Sequence, residues 1–338
     1  MRDTALWREW NIHHIATHRN GAVITRIAMF VYGSARFIIE LLFQRPDVVH
    51  IHTSSYGSFV RKFILTWIAV AFRVPVVLHV HGSEFHRFFD NVPRSIQALI
   101  RATLERVDAV IALGSAWADR IEHMAPRASI VVVPNAIRPN RAVEHLASGP
   151  VHVVFLGEIC ERKGTFFLLR SWAKMLVSSD VGEARLTVAG DGELGHALDL
   201  VAELAIGATV KVIGWLPPTD VSQLLASAHV LVLPSLNEGQ PMAILEAMAR
   251  GLCVVASNAG GIPEMVGEGG VLVDPEDESE LCDALTFVLT DHCARAQFGA
   301  SALQRVKREF DVDVISERFD QLYRRIAVLS TAQQRPND

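Results

Sequence analysis

The chain has 338 residues, 50% apolar and 20% charged: long enough for two domains with sizeable cores, and too apolar for a disordered protein. Acidic residues outnumber basic ones, 37 to 32, and the net charge of −5 argues against a general nucleic-acid binder. The charge is uneven: residues 1–140 hold 16 Lys/Arg and 10 Asp/Glu, a net of +6, while residues 141–338 hold 16 and 27, a net of −11. Anionic lipid is one candidate partner for the basic half; chance variation in a solvated surface is the other reading.

The first ten residues, MRDTALWREW, carry charges where a signal peptide needs an apolar core. Short β-branched runs then alternate with longer helical patterns. Strands are predicted at Ile12–Ala16 and Val48–His52. The apolar run Phe63–Phe72, between Arg61-Lys62 and Arg73, is too short to span a bilayer and reads as a buried helix. A strand follows at Val76–Val80. Next, Arg87, Arg94, Arg101 and Arg106 interleave with Phe88, Phe89, Ile96, Leu99, Ile100 and Leu104. On a helix this gives an apolar stripe flanked by cations, either a covering helix or a face for an anionic membrane. Strands at Ala109–Ala112 and Ile130–Val133 complete the first half.

Pro134–Pro150, with three prolines and a glycine, reads as a linker. Six more strands are predicted at Val151–Leu156, Leu186–Ala189, Val210–Ile213, Val230–Leu233, Cys253–Ala256 and Gly270–Val273. All are apolar on both faces, as parallel strands covered by helices must be. A last helix, about Val314–Leu329, is expected to pack back on the first domain. The pattern implies an α/β protein of two Rossmann-like domains, their parallel sheets facing across a cleft. The domains are 1–140, 141–310 and a C-terminal helical segment 311–338, with ligands beyond the carboxyl ends of the strands.

Several chemical signals are weak alone. Four scattered cysteines form no C-x-x-C pair and fit a reducing cytosol. His79 and His81 share one side of a strand, so a metal is conceivable, but no third ligand stands at suitable spacing. His50 and His52 read as polar strand-end packing. Asp311-Val-Asp313 precedes the last helix, where acids cap the start, so no metal is expected there. Trp215 stands where a nucleobase could stack, with a half-buried aromatic as the alternative.

Leu233–Glu264 carries most information. A strand ends at Leu233, a polar loop Ser235–Gln240 follows, and Pro241 opens a helix. The N–H groups of Gly239, Gln240, Met242 and Ala243 at such a helix start suit a phosphate. Glu238 and Glu246, eight residues apart, could reach one elongated ligand, and a carboxylate accepts hydrogen bonds from ribose hydroxyls. Helix-start acids favoured by the dipole are the alternative.

This string, E-x7-E within PSLNEGQPMAILEAMARGLCVVASNAGGIPE, resembles the family-4 retaining glycosyltransferases of the GT-B fold. VPNAI (Val133–Ile137), FLGEICERKG (Phe155–Gly164), AGDGEL (Ala189–Leu194), GVLVDP (Gly270–Pro275), PDVVHIH (Pro46–His52) and HVHGSEF (His79–Phe85) match in order and spacing. The resemblance implies that Lys163 neutralises a donor diphosphate and that Glu246 binds the nucleotide ribose. Glu238 would sit near the transferred sugar, Gly239 and Gln240 would offer backbone N–H groups, and His81 would bond the sugar near the reacting carbon. Two departures stand out. The family's arginine after the glycine of FLG is replaced by Glu158, so either Arg162 supplies the second cation or Glu158 points away. The family's opening strand and Gly-Gly loop have no counterpart here, so the first domain reads as N-terminally short.

The reading is a metal-independent retaining hexosyltransferase. It moves a sugar from a nucleoside diphosphate donor to a hydroxyl acceptor, in polysaccharide or glycolipid assembly. The donor is a substrate and no cofactor is expected. Expected partners are the donor and a hydroxyl acceptor, lipid-linked if the chain works at a membrane, and no nucleic acid. The expected location is the cytoplasm, with peripheral contact on the inner face of the cell membrane. The rival functions are a GT-B nucleotide-sugar epimerase and a non-catalytic binding remnant.

Overall fold

The computed structural model describes residues 3–19, 21–140, 142–143 and 149–333. Its backbone divides into two compact units, Met1–Pro134 with Val312–Asp338, and Asn135–Asp311. The boundary therefore lies between Pro134 and Asn135, ahead of the expected break at 140/141, and the return lies at 311/312 rather than 310/311. The cause is local. The Asn135 N–H donates to the Gln240 side chain at 2.7 Å, and the Ile137 N–H donates to the Phe310 carbonyl at 2.8 Å, fastening the linker's start to the second unit. The expected boundary residue 141 and residues 144–148 lie outside the described residues.

The first unit holds a parallel sheet in the order β1-β2-β3-β4: Val49–Thr53, Val76–Val80, Ala109–Ala112 and Ile130–Val132. Apolar side chains on both faces drive its burial: Val49, Ile51, Val76, Leu78 and Val110 meet Leu65, Ile100 and Leu104 from the covering helices. Each fully buried side chain of this size contributes roughly 1.5–3 kcal/mol. The helix Gly57–Ala71 contains most of the expected helix Phe63–Phe72, and only one side of it is buried.

Two expectations for this unit change. Ile12–Ala16 is not a strand. It has no regular structure and passes against the helix Val23–Phe43, where the Ala16 carbonyl oxygen stands 2.6 Å from the place a Cβ on Gly33 would occupy. Only Ile15 of this stretch packs on the core, too little apolar face to hold it in a sheet. The stretch Phe85–Arg106 is two helices, Phe85–Asp90 and Arg94–Arg106, parted before Pro93. Phe85, Phe88 and Phe89 are buried, so these rings are core rather than a membrane face.

The second unit holds a parallel sheet in the order β10-β9-β8-β5-β6-β7. The strands are β5 Val151–Leu156, β6 Ala184–Ala189, β7 Val210–Ile213, β8 Val230–Leu233, β9 Cys253–Ser257 and β10 Gly270–Val273. The chain steps from β5 outward through β6 and β7, then returns to β8 on the other side of β5. The strand order reverses between β5 and β8, and in open sheets of this kind a ligand binds at that point, beyond the strands' carboxyl ends. Trp172, Phe155 and Phe166 are fully buried at its centre.

The last helix, Val312–Gln333, belongs to the first unit. Trp10 Nε1 donates to Asp320 Oδ1 at 2.8 Å, and Tyr323 packs edge-on to Trp10 with ring centroids 5.3 Å apart. Asp311 immediately precedes this helix and Asp313 lies in its first turn.

Candidate functional site

In the second unit, the loops after β5 and β8 meet. After β5 the chain makes one tight turn, Glu161–Lys163, before the helix Thr165–Ser178. Gly164 joins them with φ +72°, and a Cβ there would fall 2.0 Å from the Pro234 carbonyl oxygen, so only glycine fits. The approach is fastened by the Leu236 N–H, which donates to the Arg162 carbonyl at 2.9 Å. Lys163 is thereby held beside the loop that follows β8.

Its ammonium pairs with the Glu238 carboxylate, and the two side chains are only 15% and 8% exposed. Glu238 is fixed from behind. The Gly261 N–H donates to its carbonyl at 3.1 Å, and Gly260, at φ +58°, passes so close that a Cβ would fall 2.0 Å from the same oxygen. Gln240 has a second task that sequence reasoning missed. Its side-chain oxygen accepts the Asn135 N–H, and its carbonyl accepts from Asn135 Nδ2 at 3.1 Å. Gln240 therefore anchors the linker as well as closing the loop. The helix after Pro241 is short, Met242–Met248, with Met242 40% exposed at its start.

A pocket of about 550 Å³ opens at the same edge of the sheet. Gly157, Glu158, Asp191, Trp215, Ala243 and Glu246 are among its walls. Trp215 is 69% exposed, which excludes the half-buried reading and leaves a ring face open to a ligand. Burial raises the Glu246 carboxyl above the usual carboxylate range, opposed by the Arg250 cation. The Lys163 stem joins the pocket to the ion pair, since its Cδ is 3.8 Å from where a Gly157 Cβ would stand.

Arg162 does not act as a free second cation. Its guanidinium holds Glu158 at 3.1 Å, so the residue that replaces the family arginine consumes the charge expected to compensate for it. Asp191, a further pocket carboxylate, was legible only as part of AGDGEL. The second unit thus gathers Lys163, Arg162, Glu238, Gly239, Gln240, Met242, Glu246 and Trp215 at the ends of one sheet.

His81 belongs to the first unit. It follows β2, and its N–H donates to the Thr53 carbonyl at 2.9 Å. The expectation that His79 and His81 lack a third partner fails. The parallel register sets His52 opposite His79, and four imidazoles stack on one face of β1 and β2. His52 Nδ1 lies 2.7 Å from His81 Nε2, His50 Nε2 lies 3.3 Å from His79 Nδ1, and the other His50 nitrogen meets the Tyr323 hydroxyl. Burial lowers all four imidazoles below their usual range, His81 to about 4, and neighbouring imidazoles add to the shift.

Two parallel-sheet α/β units, the second doubly wound with its strand order reversing between β5 and β8, are the architecture of GT-B glycosyltransferases. The family "Glycosyl transferase 4-like domain" matches residues 11–136, and "Glycosyl transferases group 1" matches residues 150–291. The chain belongs to the family-4 glycosyltransferases.

Among its relatives, D-inositol 3-phosphate glycosyltransferase of Corynebacterium diphtheriae is 29% identical over 70% of this chain and 57% of the relative. Glycogen synthase of Mycobacterium tuberculosis is 28% identical over 82% of this chain and 69% of the relative. The chain thus spans little more than half of the first of these relatives. Among solved structures, sucrose-phosphate synthase from Thermosynechococcus elongatus superposes with TM-score 0.74 at 20% identity, covering 91% of this chain and 79% of that one. Anabaena HepE in complex with UDP and glucose gives 0.70 at 19%, covering 89% and 83%. These likenesses show the fold.

Proposed function

We propose that the chain transfers a hexose-type sugar from a nucleoside diphosphate sugar to a hydroxyl acceptor with retention, and without a divalent cation at the diphosphate. The Lys163–Glu238 pair beside the Trp215–Glu246 pocket carries this reading, because it sets a cation for the diphosphate next to acceptors for ribose. The acceptor hydroxyl attacks the anomeric carbon on the face the diphosphate leaves. The C–O bond to diphosphate breaks as the new glycosidic bond forms, and a diphosphate oxygen takes the acceptor proton. Lys163 meets the growing negative charge, Glu238 stands by the sugar, and His81 bonds the sugar near the reacting carbon. The solved complex of HepE with UDP and glucose supports the donor class, and the relatives' names support a sugar or polyol hydroxyl as acceptor.

The deciding measurement is thermal unfolding against a panel of nucleoside diphosphate sugars. A ligand at a hundredfold its dissociation constant stabilises by about 2.7 kcal/mol, so at least one should raise Tm by several degrees. A panel that moves nothing at millimolar concentration overturns the reading. Slow release of free sugar from the stabilising donor separates a transferase from a binding remnant, and a new sugar epimer in its place identifies an epimerase. Within the site, Glu246→Ala is expected to raise the donor dissociation constant, and Glu238→Ala to lower turnover. Wild-type kinetics in both variants would remove the pair from the site.

Peripheral contact with anionic membrane completes the proposal, on a face other than the expected one. The helix Val23–Phe43 exposes Val23, Ile24, Ile27, Val31, Tyr32 and Phe43 by 58–81%, with Arg26, Arg36 and Arg45 exposed beside them. Such an apolar face with flanking cations fits an interfacial helix on anionic headgroups. Among the described residues no helix is long and apolar enough to cross a membrane. The full chain should sediment with phosphatidylglycerol vesicles at low salt and less at high salt. Ile24→Asp with Val31→Asp should abolish this, and unchanged sedimentation of that variant would exclude the face.

A further inference from the structure

The histidine cluster of the first sheet is more than strand-end packing. One nitrogen from each of His50, His52 and His79 lies within 4.8 Å of the others. His50 Nε2 and His79 Nδ1 are 3.3 Å apart. Two nitrogens each about 2.0–2.1 Å from one tetrahedral ion would be separated by roughly that distance. We propose that His50, His52 and His79 bind a borderline transition-metal dication, with zinc as the reference ion and water completing its shell. None of its three ligands is among the residues assigned to the transfer reaction, which it meets only through the His52–His81 contact.

The donor set decides the class of ion. It is imidazole throughout, with no carboxylate among the three, which disfavours magnesium and calcium and suits zinc, cobalt, nickel or copper. Two contacts already orient the rings from outside, as ligating histidines are commonly oriented. The Tyr323 hydroxyl holds the other nitrogen of His50, and His81 Nε2 holds His52 Nδ1 at 2.7 Å. Burial keeps the rings neutral, which is the ligating form.

One feature limits affinity. Lys62 lies near enough to His52 to act on it electrostatically, and the three ligands bring no negative charge to offset a dication. The expected binding is therefore micromolar rather than the far tighter binding of thiolate sites.

The test uses the full chain, stripped of metal with a chelator and dialysed. Zinc is titrated against a chromophoric chelator, and cobalt(II) is added separately to read its visible spectrum. One zinc per chain should bind with a rise in Tm, and cobalt should give the intense visible bands of a tetrahedral nitrogen-rich site. His52→Gln, at an exposed position, should weaken zinc binding about tenfold or more while the metal-free protein keeps its Tm. His50→Gln is the second variant and should also weaken zinc binding, with a lower metal-free Tm because the Tyr323 contact is lost. The exposed pair His13 and His14 is the competing surface site, so His13→Gln with His14→Gln should leave binding unchanged. Absence of saturable one-to-one uptake, wild-type affinity in His52→Gln and His50→Gln, or loss of binding in the His13/His14 variant each overturns the proposal. If both cluster variants fail to fold, the wild-type cobalt spectrum decides: weak octahedral bands refute the site.

Discussion

Lys163→Ala is expected to damage both folding stability and donor binding, and the two losses have different causes. Lys163 and Glu238 are 15% and 8% exposed, so removing the ammonium leaves a carboxylate almost out of water without its counter-ion. Breaking such a pair costs about 3–5 kcal/mol when burial is complete, and the small exposure of Lys163 places this pair toward the lower figure. Donor affinity should fall separately by about 1.5–3 kcal/mol, the range for a hydrogen bond to a charged group. The double variant Lys163→Met with Glu238→Gln distinguishes them. It removes both charges and should recover most of the stability, because no uncompensated carboxylate remains, while donor affinity stays low. Urea denaturation reads the first quantity and donor titration the second. A double variant as unstable as Lys163→Ala would show that the loss does not come from the uncompensated Glu238 carboxylate.

The second large effect is a steep loss of stability in mild acid. In the metal-free protein His81 titrates at about 4 against an ordinary 6.5, chiefly because it is buried. His50, His52 and His79 are shifted in the same direction. Between those two pH values the unfolded chain binds protons that the folded chain refuses. The His81 contribution is therefore present above pH 6.5, falls as pH drops through the window, and levels off below about 4. For His81 alone the loss is on the order of 2–3 kcal/mol. The groups facing the cluster do not reverse this sign. Lys62 and His14 act on His52 as like charges, and Tyr323 is neutral throughout the window. Tm measured from pH 7.5 to 4.5 should fall, and His81→Gln should flatten the slope. A pH-independent Tm over that range would contradict the burial of the rings.

Much of the fold was readable because parallel strands buried on both faces are continuous apolar runs. Val76–Val80, Ala109–Ala112, Val151–Leu156, Val210–Ile213, Val230–Leu233 and Gly270–Val273 coincide with the observed strands. Ile12–Ala16 misled because β-branched Ile12 and Ile15 mimic a strand while histidines and Ala16 supply no second apolar face. Lys163, Glu238, Glu246 and Trp215 were legible through local strings whose loops end adjacent strands. Two facts lay outside any local string. The Arg162–Glu158 pair depends on how one tight turn folds, and the meeting of His52 with His79 depends on strand register across twenty-six intervening positions. Spacing along the chain carries no signal for either.

The last helix has a consequence for how the protein is made. Asn135–Asp311 is contiguous, so the second unit can close as soon as its own residues have emerged from the ribosome. The first unit, although synthesised earlier, waits for Val312–Gln333, because Trp10 and His50 find Asp320 and Tyr323 only at the end of the chain. The half that is translated first is completed last. A premature stop near residue 312 would therefore strand an unfinished amino-terminal half beside an intact carboxyl-terminal one, and proteolysis of such a product should begin at the end farthest from the lesion.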